Sequence, residues 1–198
     1  MFVLVENDSI TKTLNTSKGI TIGENQYPRA IFSSWSAAER EAIGIYEVVL
    51  DNTNFKDQRY NINTNASLTF ADGIATSSYG AATAKSLADA NATDDDGVEL
   101  DPVIVNPGLK TQHKKNIKQQ ASGLLTPTDW YILKATDVES YSVPAEQTDY
   151  RAAVRTASND MEALIDACST VDELAALYTY TGNPGSQTRP LGEWPEEV

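Results

Sequence analysis

AATAKSLADANATDDDGVELDPVIVNP, residues 81–107, is where the chain changes character. Small residues and acids crowd it, and Pro102 and Pro107 interrupt it. It reads as a linker with room for one short helix at residues 81–90. Ahead of it, apolar residues alternate with polar ones or come in short runs. Behind it they recur at helical spacing. The division predicts an α+β protein. Residues 1–80 form a β-rich part with one short helix, and residues 81–107 an acidic linker. Residues 108–180 form a helical part, and residues 181–198 an extended tail.

Working towards the N-terminus, FVLVEND is a short apolar run that ends on the turn signal Asn7-Asp8. SKGITIG places Ile20 and Ile22 on a glycine-bounded strand. Ser36 with Glu39 three residues later is a capping-box pattern, and Gly44 suits a helix C-terminus. A short helix is expected over residues 37–43 and a strand over 45–50. RYNINTNASLTFADGIATSSY alternates polar with apolar, and residues 63–65 can turn the chain into a hairpin.

Working towards the C-terminus, Pro107 can begin a helix on which Leu109, His113, Ile117, Ala121, Leu124 and Leu125 share a face. Thr126-Pro127 then interrupts it. Thr126 is expected to cap a second helix, with Pro127 first and Asp129 third. Trp130 is expected to plug the angle between the flanking long helices, because large aromatics dominate burial in small cores. A third helix begins near Pro144. Its stripe of Tyr150, Val154, Ala157, Met161, Leu164, Ile165 and Cys168 is the strongest periodic signal in the chain. Thr170 with Glu173 opens a further helix through a second capping box. The tail, TGNPGSQTRPLGEWPEEV, reads as extended and poorly packed, with Trp194 a candidate anchor.

Composition narrows the function. The 198 residues include 28 acids against 15 lysines and arginines, a net charge of −13. Such a surface repels phosphates and anionic membranes, so neither nucleic acid nor membrane is an expected partner, and a basic or neutral protein is. No signal peptide is expected from the N-terminal residues, and no run approaches the roughly 18 apolar residues of a membrane span. A single cysteine, Cys168, forbids an intrachain disulfide and fits a reducing compartment. The single His113 lies on a lysine-rich helix, and no nucleophile-elbow, HExxH or phosphate-loop pattern occurs.

Aligning Gly97 with the sixth position of a calcium loop puts Asp94 and Asp96 at positions three and five. Ala92 and Val103 then fall at the two essential ends, so the motif fails. No catalytic residue, cofactor or metal is expected, and the chain reads as a non-enzyme. Lys110, Lys114, Lys115 and Lys118 form a basic stripe, read as a solvated face paired with the acidic linker upstream. The alternative is a docking face for an acidic partner.

The stretch LLTPTDWYILKATD followed by VPAEQTDYRAAVR resembles the C-terminal module of phage tail assembly chaperones and tail-fibre assembly proteins. The positions that carry the resemblance are Leu124, Leu125, Thr128, Asp129, Trp130, Pro144, Tyr150, Arg151 and Arg155. Tyr27-Pro28, Ser34-Trp35-Ser36 with Glu39, residues 42–45, Asp57 and Arg59-Tyr60 are similar to proteins encoded beside tail fibres. In that family a Trp-Pro pair closes the module soon after the Tyr-Arg helix. Here a further helix and a Pro/Gly-rich stretch precede Trp194-Pro195. The resemblance implies binding rather than turnover. The expected partner is a phage tail or tail-fibre protein, met in the host cytoplasm during assembly. The alternative is a component retained in the virion tail, as a homo-oligomer or symmetric array. Candidate partner contacts are Trp35, Tyr131, Lys110, Lys114, Lys118 and Trp194.

Overall fold

The computed structural model describes residues 1–197. It is α+β, with a curled β-sheet in the N-terminal half and helices from Leu109 onward. Two compact units divide the chain, Met1–Thr83 and the residues from Ala84 onward.

The first unit is built on β1 (Phe2–Glu6). A strand buried on both faces reads as a continuous apolar run, which is what FVLV is. Phe2 and Leu4 point to one side with Leu14, Ile31 and Ile45. Val3 and Val5 point to the other with Val48 and Ala75. The hairpin to β2 (Ser9–Leu14) turns at Asn7-Asp8, both with positive φ, the geometry that two-residue hairpins require. The sheet order is β2-β1-β5-β8-β7, where β5 is Ile45–Asp51, β7 Ala66–Ala71 and β8 Ile74–Tyr79. Only the β5–β8 pairing is parallel. The sheet curls until the edge strands β2 and β7 approach each other.

A small ladder, β3 (Ile20–Ile22) with β4 (Asn25–Tyr27), leads to α1 (Ile31–Ser34) and α2 (Ala37–Glu41). The expected capping box is present, with Ser36 and Glu39 each accepting from the other's backbone N–H. Gly44 follows at φ +80°, and a Cβ there would stand 2.7 Å from the Val5 carbonyl oxygen. Both facts require glycine. The turn of α1 was not foreseen. The second hairpin also differs from expectation. It turns at Asp72-Gly73 between β7 and β8, not at residues 63–65. Residues 61–62 instead form β6 (Asn61–Ile62), paired with β9 (Thr83–Ala84) where the first unit ends.

Residues 81–90 contain no helix. The acidic segment belongs to the second unit, as an irregular arm of β10 (Ala90–Asn91) paired with β11 (Val105–Asn106) and a Thr93–Glu99 bridge. Its base docks on α3 (Leu109–Leu125). The carbonyls of Ser86 and Leu87 accept from the N–H groups of Leu109 and Lys110, and the Asp89 carboxylate accepts from Gly108 N–H at 2.7 Å. These partners satisfy donors that a helix start leaves open. They override the helical tendency of an alanine-rich stretch.

The rest of the second unit comprises a 3-10 turn (Thr126–Thr128), α4 (Asp129–Asp137), α5 (Ala145–Ala167) and α6 (Val171–Leu177). Tyr150, Val154, Met161, Ile165 and Cys168 are buried along the α5 stripe as expected, while Leu164 is exposed. The Thr170–Glu173 capping box opens α6. The tail is not loose. Thr181 and Thr188 pair, Leu191 is buried, and its N–H donates to the Leu177 carbonyl.

Candidate interaction surface

The turn from α3 into α4 is organised by one guanidinium. Arg151 enters from α5, its side chain 9% exposed. Its Nη1 donates to the Leu125 carbonyl at 3.0 Å, to the Thr128 hydroxyl, and to Asp129 Oδ1 at 2.8 Å. The Thr128 hydroxyl in turn donates to the same Leu125 carbonyl at 2.8 Å. The last carbonyls of a helix need partners, and a cation suits the negative end of its dipole. All three acceptors crowd one nitrogen, Nη1, which has two hydrogens to give, so the contacts are shared ones.

Thr126 does not cap α4. Its hydroxyl back-bonds to the Ser122 carbonyl, and the chain tightens into the 3-10 turn instead of breaking. Pro144 takes the N-cap position of α5. Arg155 donates to the Arg151 carbonyl. Tyr150, Val154 and Ala121 form a small core, against which Leu124, Leu125 and Trp194 pack. Trp194 also donates from its indole N–H to Gln120 Oε1 at 3.0 Å. α6 and the stretch after it bring Trp194 back against the small core that holds Tyr150. Trp194 is the expected tail anchor, half-buried against this core.

Trp130 does not plug the corner. It is 49% exposed, and α4 contains no buried residue. Four successive large apolar residues, Trp130, Tyr131, Ile132 and Leu133, sweep nearly the whole circumference at 100° per residue, so one core cannot take them all. Ile132 is 41% and Leu133 69% exposed. Trp130 stacks on the half-buried Tyr131 with ring centroids 4.0 Å apart. The Lys134 ammonium lies 5.5 Å from the Trp130 ring centroid and 4.2 Å from that of Tyr141. Lys134, Ile132, Leu133 and Tyr141 were not singled out from the sequence. The available signal was that unbroken apolar quartet.

The lysine row is paired, but not with the acidic arm's triple aspartate. Lys114 bridges Asp166 at 2.8 Å, Lys118 bridges Glu162 at 3.2 Å, and Lys110 donates to the Asp166 carbonyl. These contacts fasten α3 to α5. Hydrogen bonding to Asp166 pushes the Lys114 pKa up. The row also borders a shallow 510 Å³ depression on α3, shared with Thr111, Lys115, Gln119 and Ser122.

Trp35 lies in the first unit, half-buried against the Phe2–Leu4 side of the sheet, edge-on to Tyr27 at 6.0 Å. The Arg40 guanidinium holds the Trp35 carbonyl and lies 5.0 Å over the Phe2 ring. His113 packs on Tyr178, ring centroids 4.8 Å apart. Burial raises the Cys168 pKa, and its thiol donates to the Leu164 carbonyl. Asp94 Oδ1 accepts from the N–H groups of Asp96 and Val98, so the triple aspartate is folded on its own backbone. Among the described residues no cluster of three or more His, Cys, Asp or Glu side chains is placed to hold a metal. Among them, too, no helix is long and apolar enough to cross a membrane. Comparison with protein-family models, with curated proteins and with solved structures found no match.

Proposed function

We propose that this chain is a non-enzymatic phage protein that binds a tail or tail-fibre component and assists its assembly. One observation carries the reading. Leu125, Thr128 and Asp129, positions of the family-like motif, converge on Arg151, another such position. That buried guanidinium fixes a corner from which α4 presents its apolar side chains to solvent. A helix held rigidly with its apolar residues uncovered suits capture of a partner segment. The net charge of −13 suits the same role, because it keeps a complex with an aggregation-prone client in solution. The site of action under this reading is the host cytoplasm during assembly.

The second reading is a structural component kept in the virion tail. It is favoured by the arm of residues 90–106, where Val103, Ile104 and Val105 are all exposed. A neighbouring subunit in a symmetric array would cover such an arm. The docked tail of residues 181–197 no longer calls for that neighbour.

Co-expression with the tail-fibre protein of the same phage tests the first reading. Soluble fibre protein should rise when the chain is present and fall back when α4 is disabled by Leu133→Asp. Equal soluble yields with and without the chain would remove the reading.

A further inference from the structure

We infer that the uncovered surface of α4 is a docking site for a basic amphipathic helix of the partner protein. The inference rests on the reading of this chain as a binding protein and names the chemistry of what it binds. Three observations point the same way.

The first is the apolar surface itself, where Trp130 and Leu133, three residues apart and so on one face of α4, are 49% and 69% exposed. The second is charge. Between residues 129 and 149 there are five carboxylates, Asp129, Asp137, Glu139, Glu146 and Asp149, against a single base, Lys134. Asp129 is engaged by Arg151, the other four are exposed, and of these Asp137 and Glu139 lie at the C-terminal end of α4. The third is Lys134. Its ammonium already rests over the rings of Trp130 and Tyr141, so the chain itself displays an aromatic pair that accepts a cation.

An incoming helix with leucines on one stripe and lysines or arginines beside it would match all three. The leucines would cover Leu133 and the open edge of Trp130, and a basic side chain would compete with Lys134 for the rings. A second copy of this chain does not fit, because it would bring the same excess of carboxylates to the contact.

The probe is a labelled amphipathic peptide of about 18 residues, leucines at helical spacing and lysines elsewhere. Its control has every lysine replaced by glutamate. Binding to the full chain is followed by peptide anisotropy and by tryptophan emission at physiological salt. The lysine peptide should bind, with a blue shift of emission that disappears in Trp130→Phe. Leu133→Asp should weaken binding at least about tenfold, the loss expected for removing one buried leucine contact. That variant adds a negative charge, so non-specific attraction of a basic peptide would strengthen instead. Val103→Asp, on the arm, should leave binding unchanged.

Equal affinity for Leu133→Asp and the parent chain would overturn the inference. So would equal binding of the glutamate peptide, or a self-association in sedimentation that Leu133→Asp abolishes. The two claims fail separately. Fibre protein that co-purifies with Leu133→Asp as well as with the parent leaves the assembly reading standing and removes α4. Peptide binding at α4 without any effect on fibre solubility keeps the docking site and removes the assembly reading.

Discussion

Replacing Arg151 by Met should loosen the α3–α4 corner by about 2–3 kcal/mol. The magnitude follows from what each partner loses. A hydrogen bond from a charged donor contributes about 1.5–3 kcal/mol net, and the Arg151 contacts to the Leu125 carbonyl and the Thr128 hydroxyl, shared on one nitrogen, count together as about one such bond. The Leu125 carbonyl is not stranded afterwards, because Thr128 still donates to it at 2.8 Å. Asp129 is 53% exposed and rehydrates, so its ion pair adds only about 0.5 kcal/mol. The total therefore falls below the roughly 3–5 kcal/mol of breaking a fully buried pair.

Methionine fills the space of the arginine stem, which separates the polar loss from a cavity. Arg151→Lys keeps the charge on a shorter stem that reaches the acceptors less well, and should lose about half as much. Urea unfolding followed by circular dichroism gives the free energies. Hydrogen exchange localises them. Amides of α4 should exchange faster in Arg151→Met, while those of β1, in the other compact unit, should not change. A loss under about 0.5 kcal/mol, or unchanged α4 amides, would refute the reasoning that one guanidinium fastens the corner.

Other substitutions probe the same unit. Gly108→Ala would place a Cβ 2.3 Å from the Ala88 carbonyl oxygen, on backbone that cannot swing aside, and should lower stability by about 2–3 kcal/mol in denaturant titration. Tyr150→Phe removes a buried hydroxyl that has no hydrogen-bond partner among the described residues, and should raise stability by about 1 kcal/mol. A loss of that size would mean that the hydroxyl is bonded in solution. The bond from Gly108 N–H, then Thr111 and Lys114, holds the Asp89 carboxyl below its ordinary value. Its contribution is therefore full above the unfolded pKa of about 3.9, and is lost as pH falls through the depressed folded value. The stability gap between the parent and Asp89→Asn should stay flat near neutrality and close in acid. A gap that widens in acid would reverse the sign.

What was legible in the sequence was local. FVLV declares a strand buried on both faces because every residue is apolar. Ser36, Glu39 and Gly44 mark a helix start and stop within nine residues, since capping bonds span only one turn. Asp72-Gly73 carried an equally local hairpin signal, and the asparagines at 63 and 65 drew the turn away from it. Two features were illegible for a different reason. The stretch of residues 81–90 is alanine-rich, but its backbone is taken by the N-terminus of α3, some twenty residues away. Arg151 meets its acceptors across 23 and 26 residues, a distance over which periodicity carries no information. Trp130 shows the limit of the rule that large aromatics lie inside. On this nine-residue helix no residue is buried, and the less exposed positions, Tyr131 and Ala135, are not that of Trp130.

The central claim is that this chain binds a tail or fibre component during assembly and then leaves. Quantitative mass spectrometry of purified phage particles, set beside affinity purification of the chain from infected cells, tests it most directly. The account predicts no copies in the finished particle and a tail or tail-fibre protein recovered with the chain from lysate. A fixed stoichiometric number of copies in the particle, with no such protein recovered from lysate, would contradict it.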